Sequence, residues 1–416
     1  MDKNSFYRHL TEKIIPFWEK LRDDEFGGYY GYLDYDLKLD KKAVKGCILN
    51  SRIMWFFSNA YMSLKTPELL DYAKHAYDFM CKYCLDYEYG GVLWSVNYDG
   101  SIADSIKHTY NQAFSIYALS SYYDASGNNE AFEKAYELAC LIEERCTDEI
   151  GYLEAFNRDF TPAENDKLSE NGVMAEKTMN TLLHVFEAYT ELLRVIKKRE
   201  AAFAATVPED LKAREAMISG RLKFMMDIVA DKVYNPELKR QEVFFDKNYN
   251  SIIDLHSYGH DIEAAWLMDR GCTVLDDAEY TAKLRPITDA LGVRILNRAY
   301  TKHSLLNECE KGVDNTHRIW WVQAEAVIGF YNAYQKLIEE KCDAELAERF
   351  HAASEDIWDF IQNKLTDKRE GSEWFWELDE NGEPFEGRPI VEPWKCPYHN
   401  GRMCLEMLRR TEASEK

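Results

Sequence analysis

The chain has 416 residues, with 73 Asp and Glu against 51 Lys and Arg for a formal charge of −22, and 46% of it is hydrophobic, including 27 Tyr, 20 Phe and 10 Trp. That acidity repels phosphate backbones and anionic lipid, so no nucleic acid and no membrane is expected as a partner, and no stretch approaches the roughly eighteen apolar residues of a span. Met1-Asp2-Lys3-Asn4 lacks the apolar core of a secretory signal and the ten cysteines are scattered, so free thiols and a cytoplasmic location are expected.

In chain order, helical periodicity alternates with an acidic, Gly-aromatic punctuation. It appears as Asp23-Asp24-Glu25-Phe26-Gly27-Gly28-Tyr29-Tyr30, as Asp86-Tyr87-Glu88-Tyr89-Gly90-Gly91-Val92-Leu93-Trp94, and more weakly at Asp148-Glu149-Ile150-Gly151-Tyr152 and Asp367 to Trp374. The first three copies stand about 62 residues apart, the length of a long helical hairpin with its connections. Degenerate copies fall at 231–246 and 292–308, making six units. Each unit predicts a leading helix (5–22, 66–85, 129–146, 211–233, 278–298, 343–365) and a following one (50–64, 108–125, 174–198, 259–275, 318–338, 397–410). The leading set is heavily charged on one face and is expected outside. The following set is more apolar all round, as in Ile53-Met54-Trp55-Phe56-Phe57, and is expected inside. The predicted fold is all-α, an (α/α)6 barrel over 1–416 as one domain, with short strands or hairpins on one rim; an open helical solenoid is the rival. Cys81 and Cys84 form a lone C-x-x-C within a helix, and with no second pair they read as buried structural thiols.

A closed barrel would bring the starts of its inner helices to one mouth, and those starts carry unusual residues. They are Arg52, Tyr110, Asn180 with His184 one turn on, His260 with Glu263, Trp321 with Glu325, and His399 behind Trp394. Singly, each has an ordinary explanation: a core histidine, a salt-bridged arginine, packed tryptophans. Together, from six units, they describe a polar pocket. The densest stretch is His256 to Glu263, where Gly259 is read as breaking the chain before a helix, leaving His260, Asp261 and Glu263 in its first turn. His256, His260 and Glu263 could also be read as metal ligands, but His256 precedes the glycine and need not share the face, so no metal is expected. His108 is left to cap or solvate its helix. The surplus of Tyr and Trp suits flat sugar faces.

The segments Lys45 to Arg52, Lys107 to Asn111, Lys177 to Asn180, His256 to Glu263, Trp320 to Ala326 and Pro393 to Arg402 resemble the N-acylglucosamine 2-epimerase superfamily over essentially the whole chain, and within it the cellobiose-epimerising branch. The resemblance implies the same barrel fold and reversible epimerisation at C2 of the reducing-end glucose of β-1,4-linked disaccharides: cellobiose to glucosyl-mannose, and lactose to epilactose. It implies that His260 and His399 exchange the C2 proton through a cis-enediolate and that His184 assists ring opening. Arg52 would meet the developing oxyanion and Glu263 would orient His260. Tyr110, Asn180, Trp321, Trp394 and Glu325 would bind substrate. No cofactor, metal or nucleotide is implied, and the chain is expected as a monomer or weak homo-oligomer. Rival readings are a monosaccharide-level N-acylglucosamine 2-epimerase or mannose isomerase, a glycoside hydrolase with paired carboxylates, and a non-catalytic carbohydrate-binding solenoid.

Overall fold

A computed structural model describes residues 1–165, 167, 171–203 and 206–414. Its outer helices are α1 (Lys3–His9, the π turn Leu10–Ile14 and Ile15–Glu19), α3 (Pro67–Phe79 with the π turn Met80–Cys84), α5 (Asn129–Arg145), α7 (Glu209–Ile228 with the π turn Val229–Val233), α9 (Ala278–Arg298) and α11 (Ala344–Phe360 with the π turn Ile361–Leu365). Between them run the inner helices α2 (Cys47–Leu64), α4 (Thr109–Ser126), α6 (Met179–Glu200), α8 (Tyr258–Leu275), α10 (Trp320–Glu340) and α12 (His399–Ser414). Several outer helices start on side-chain caps, where Asp2, Asn128, Asp277 and Asp343 accept from free backbone N–H groups. Inner helices are buried nearly all round, as every residue from Cys47 to Ala60 shows.

Each inner helix packs on the next, and α12 returns to α2. That closure makes the molecule an (α/α)6 barrel and removes the open solenoid. At one end, α2, α4, α8 and α10 hand over to the following outer helix through very short turns, with Lys65, Gly127, Asp276 and Lys341 at positive φ. The long connections all lie at the other end.

A ring of short antiparallel pairs stitches that end together. The strand leading into each of the first five inner helices pairs with the rim of the next unit: Lys45–Gly46 with Ser95–Val96, Lys107–His108 with Ala155–Phe156, Lys177–Thr178 with Phe244–Phe245, Leu255–Ser257 with Glu308–Glu310, and Arg318–Ile319 with Glu377–Leu378. A bridge between Leu33 and Val391 joins the last unit to the first. The acidic punctuation locks this ring. Asp23, Asp86 and Asp148 accept from Lys45, Lys107 and Lys177, and Glu373 from Lys395, four lysines that lie just before inner helices.

Three local expectations are corrected. The stretch 174–178 is loop and strand rather than the start of α6, because Lys177 and Thr178 are held extended by Phe245 and Phe244. Gly259 does not break the chain but is the second residue of α8, where a Cβ would stand 2.6 Å from the Trp321 ring. Cys84 is buried as expected, whereas Cys81 is partly exposed. No helix among the described residues is long and apolar enough to cross a membrane.

Candidate active site

The inner-helix starts line one cavity. Around it stand Arg52, Tyr110, Asn180, His184, Ser257, His260, Glu263, Trp320, Trp321, Trp394 and His399, with Trp376 and Glu308 toward the rim. The rim strands explain the selection of side chains. Along Leu255–Ser257, Leu255 and Ser257 line the cavity while His256 between them points to the opposite face, as strand alternation requires. There His256 Nε2 lies 2.7 Å from Asp261 Oδ2, and Asp261 accepts from the Gln241 backbone. The two histidines of this stretch are therefore separated, and His256 with Asp261 supports the rim. His108 caps α4, accepting from Tyr110 N, as its position suggested.

His260 and His399 both pack against one ring: their imidazole centroids lie 4.7 and 5.5 Å from Trp321. Each is anchored through Nδ1, which leaves Nε2 for the cavity. For His260 the anchor is Ser257 Oγ at 2.7 Å, and for His399 it is Glu325 Oε1 at 2.7 Å. Burial, then the neighbouring His184, lowers His260 to about 3. Burial, then Arg402 and Arg52, holds His399 well below the usual histidine range. Both also sit at helix starts, whose exposed N–H dipoles disfavour added positive charge. Two neutral imidazoles therefore face the cavity at pH 7. His184 is the third; burial lowers it although its Nδ1 meets Glu187 Oε2 at 2.9 Å.

Arg52 supplies a fixed cation. It donates to Tyr110 Oη at 2.8 Å and to the Trp394 carbonyl at 3.3 Å, and its guanidinium lies 4.0 Å over the Phe114 ring. Burial raises the Tyr110 hydroxyl to about 12, so it stays protonated. Asn180 Oδ1 is buried without a hydrogen-bond partner, an acceptor available to a ligand.

Two assignments change. Glu263 does not hold His260: its Oε1 accepts from Arg402 and lies 3.9 Å from His399 Nδ1. Ser257, three residues before His260, has taken the imidazole nitrogen that Glu263 was expected to meet. Nor can Glu325 bind substrate, being fully buried and saturated by His399, Arg402 and the Trp266 indole N–H; it anchors His399 instead. Arg402 itself was missed. Its guanidinium donates to Glu187, Tyr398, Glu263 and Glu325, tying the His184 side of the site to the His399 side. Glu187 consequently stays ionised: burial opposes its charge, but Arg402 and His184 hold it down at about 2. The spacings were a signal, since Glu187 lies three residues after His184 and Arg402 three after His399, one helical face each. Glu263, Glu325 and His399 lie close enough to hold a metal ion, but Nη2 of Arg402 already occupies the space between both carboxyls.

The contact between Gly259 and Trp321 yields a prediction. Gly259→Ala should push the Trp321 ring and with it the surface between the two histidines, costing about 1–3 kcal/mol of overpacking and at least tenfold in turnover. Thermal melts with steady-state kinetics check this; an unchanged kcat would show that the ring can yield harmlessly.

Comparison with known proteins finds relatives over nearly the whole chain. The sequence model of the N-acylglucosamine 2-epimerase (GlcNAc 2-epimerase) family matches residues 28–400. A cellobiose 2-epimerase of Eubacterium cellulosolvens is 52% identical over 98% of both chains. Among solved structures, a sugar epimerase from a ruminal bacterium superposes with a TM-score of 0.90 at 48% identity, covering 99% of both chains. The cellobiose 2-epimerase of Bacillus thermoamylovorans gives 0.88 at 44%, over 98% of this chain and 99% of that one. From the first Gly-Gly turn to Asn400 on the last inner helix, the chain belongs to the N-acylglucosamine 2-epimerase family of carbohydrate-converting enzymes.

Proposed function

We propose that the chain reversibly epimerises C2 of the reducing-end glucose of β-1,4-linked disaccharides, converting cellobiose to glucosyl-mannose and lactose to epilactose. The observation that carries this reading is the pair of neutral imidazoles, His260 and His399, packed against one tryptophan ring and anchored from different elements, by Ser257 and by Glu325. Inversion at a carbon next to a carbonyl needs one group to remove the proton from one face and another to return one to the opposite face. A neutral imidazole with Nδ1 tied down suits either task.

The sequence of events follows from the surroundings. His184, backed by Glu187, assists pyranose opening, which exposes the aldehyde and makes the C2 proton acidic. One imidazole removes that proton. Charge spreads to the C1 oxygen as the cis-enediolate forms, and Arg52 stabilises it there. A fixed cation in a dry pocket contributes most where charge develops. The other imidazole then delivers a proton to the far face. Tyr110 and the unpaired Asn180 Oδ1 bond sugar hydroxyls, while Trp321 and Trp394 offer stacking faces. Proton transfer alone completes the reaction, so it calls for no metal or redox cofactor. We place this activity in one catalytic domain over the chain's length, acting in the cytoplasm as a monomer or weak homo-oligomer.

Incubation in D₂O with cellobiose, lactose, mannose and N-acetylmannosamine in turn tests the reading. Deuterium should enter at C2 of the disaccharides with formation of the epimer. Conversion of the monosaccharides alone would replace the disaccharide reading with a monosaccharide epimerase or mannose isomerase. Release of free glucose would replace it with hydrolysis.

A further inference from the structure

Behind His399 the barrel buries more carboxyl groups than it has cations to match. Glu187, Glu263 and Glu325 surround Arg402, and the second guanidinium, that of Arg52, lies 4.8 Å over the Tyr398 ring on whose face Arg402 also sits at 4.2 Å. His184, His260, His399, Tyr110, Tyr117 and Tyr398 are the neutral titratable groups facing this cluster, and the nearby Glu406 is paired with cations of its own, Arg270, Arg409 and Arg410. With the imidazoles and phenols neutral, three carboxylates face two guanidiniums, and one negative charge is left in a dry interior, where an uncompensated ion is expensive. One added proton removes it. The hydrogen bonds say where that proton sits. Glu187 accepts from Arg402 and Tyr398 with His184 Nδ1 at 2.9 Å, and Glu325 accepts from Arg402 and Trp266 with His399 Nδ1 at 2.7 Å. Glu263 accepts from Arg402 alone, and its Oε2 is buried with no partner. Glu263 and Glu325 share a single nitrogen, Nη2 of Arg402. Burial and the adjacent Glu325 push Glu263 well above the usual carboxylate range.

We propose that Glu263 and Glu325 hold one proton between them and pass it to Nδ1 of His399 as His399 gives its Nε2 proton to C2 of the substrate. The step balances. A carboxyl O–H breaks as Nδ1–H forms, and Nε2–H breaks as C2–H forms. The imidazole stays neutral and changes tautomer, and the charge that leaves the enediolate appears on the carboxyl pair. Run backwards, the same relay lets His399 take a proton from C2. His260 needs no such store, because the Ser257 hydroxyl can either donate or accept at Nδ1. Glu263 and Glu325 are thus positioning residues that keep His399 supplied, an assignment that rests on the epimerisation proposed above.

Glu263→Gln tests it, because glutamine is as neutral as a protonated glutamate and can still accept from Arg402. A purely structural role predicts near-normal catalysis. A proton store predicts that kcat falls at least tenfold with KM within about twofold, and that the decline at alkaline pH begins earlier. Infrared spectroscopy of the resting protein should show a neutral carboxylic-acid carbonyl band that shifts in D₂O, vanishes in Glu263→Gln and persists in Glu263→Asp together with part of the activity. Absence of the band in the wild type, or wild-type kcat in Glu263→Gln, would overturn the proposal. A wild-type protein that carries the band yet places no deuterium at C2 of cellobiose would refute the epimerisation and, with it, the transfer to C2, leaving the buried proton itself established. If Glu263→Gln fails to fold, Glu263→Asp and the wild-type band decide the matter.

Discussion

His260→Ala and His399→Ala should each abolish epimerisation in a protein that remains folded, with losses of at least 10²- to 10⁴-fold, the usual contribution of a positioned acid or base. The informative residue of activity is isotopic. With one imidazole gone, the other can still remove and return the proton on its own face, so each variant in D₂O should exchange the C2 proton of one epimer without inverting it. NMR of glucosyl-glucose and glucosyl-mannose separately would show complementary patterns for the two variants. Substantial inversion in either one would disprove the two-base arrangement. The His260 environment adds a pH signature. Its pKa lies near 3 in the folded chain and near 6.5 in the unfolded one, so the unfolded state binds the extra proton first as pH falls below 6.5. Folded stability therefore drops between about pH 6.5 and 3 on account of this group. His260→Ala removes that liability and should lose less stability than the wild type between pH 7 and 5, as denaturation midpoints would show.

The sequence made the six-unit barrel legible because the Gly-aromatic turns repeat at hairpin spacing and force positive φ at Gly27, Gly28, Gly90 and Gly91. The purpose of the accompanying acids was hidden. Asp23 meets Lys45 and Asp86 meets Lys107, 22 and 21 residues on, and a lone lysine beside a short strand looks like a solvated charge. The same limit applies in the cavity. The pairs His184 with Glu187 and His260 with Glu263 have identical spacing, yet only the first forms a hydrogen bond. Helical geometry puts both carboxylates within reach, and the outcome is set by competitors from elsewhere: Ser257 for the imidazole, Arg402 from another helix for the carboxylate. The candidate site residues were thus found as a set, because the fold brings helix starts together. Their pairings were not, because a buried charge chooses among partners that only the closed barrel supplies.

Arg402→Met should be the most damaging single change to the fold. The side chain is fully buried and joins Glu187, Glu263 and Glu325, so methionine fills much of the volume and leaves three carboxyls without their shared cation. Breaking a buried pair from one side costs about 3–5 kcal/mol, enough to unfold a marginal protein. The carboxyls can escape only by taking up protons, and that fixes the direction of the pH dependence. In the wild type, Glu187 is held near 2, below its unfolded value, so its contribution is present above that unfolded value and lost as pH falls toward 2. In Arg402→Met all three carboxyls should have raised folded values. A raised group favours the folded state below its unfolded pKa and loses that contribution as pH rises through the folded one. The variant's deficit should accordingly be largest at pH 7 to 8 and shrink toward pH 5. Denaturant titrations of both proteins across that range measure it. A deficit that stayed constant with pH would mean that the carboxyls remain ionised without Arg402, and would remove the electrostatic account of how this cluster is held.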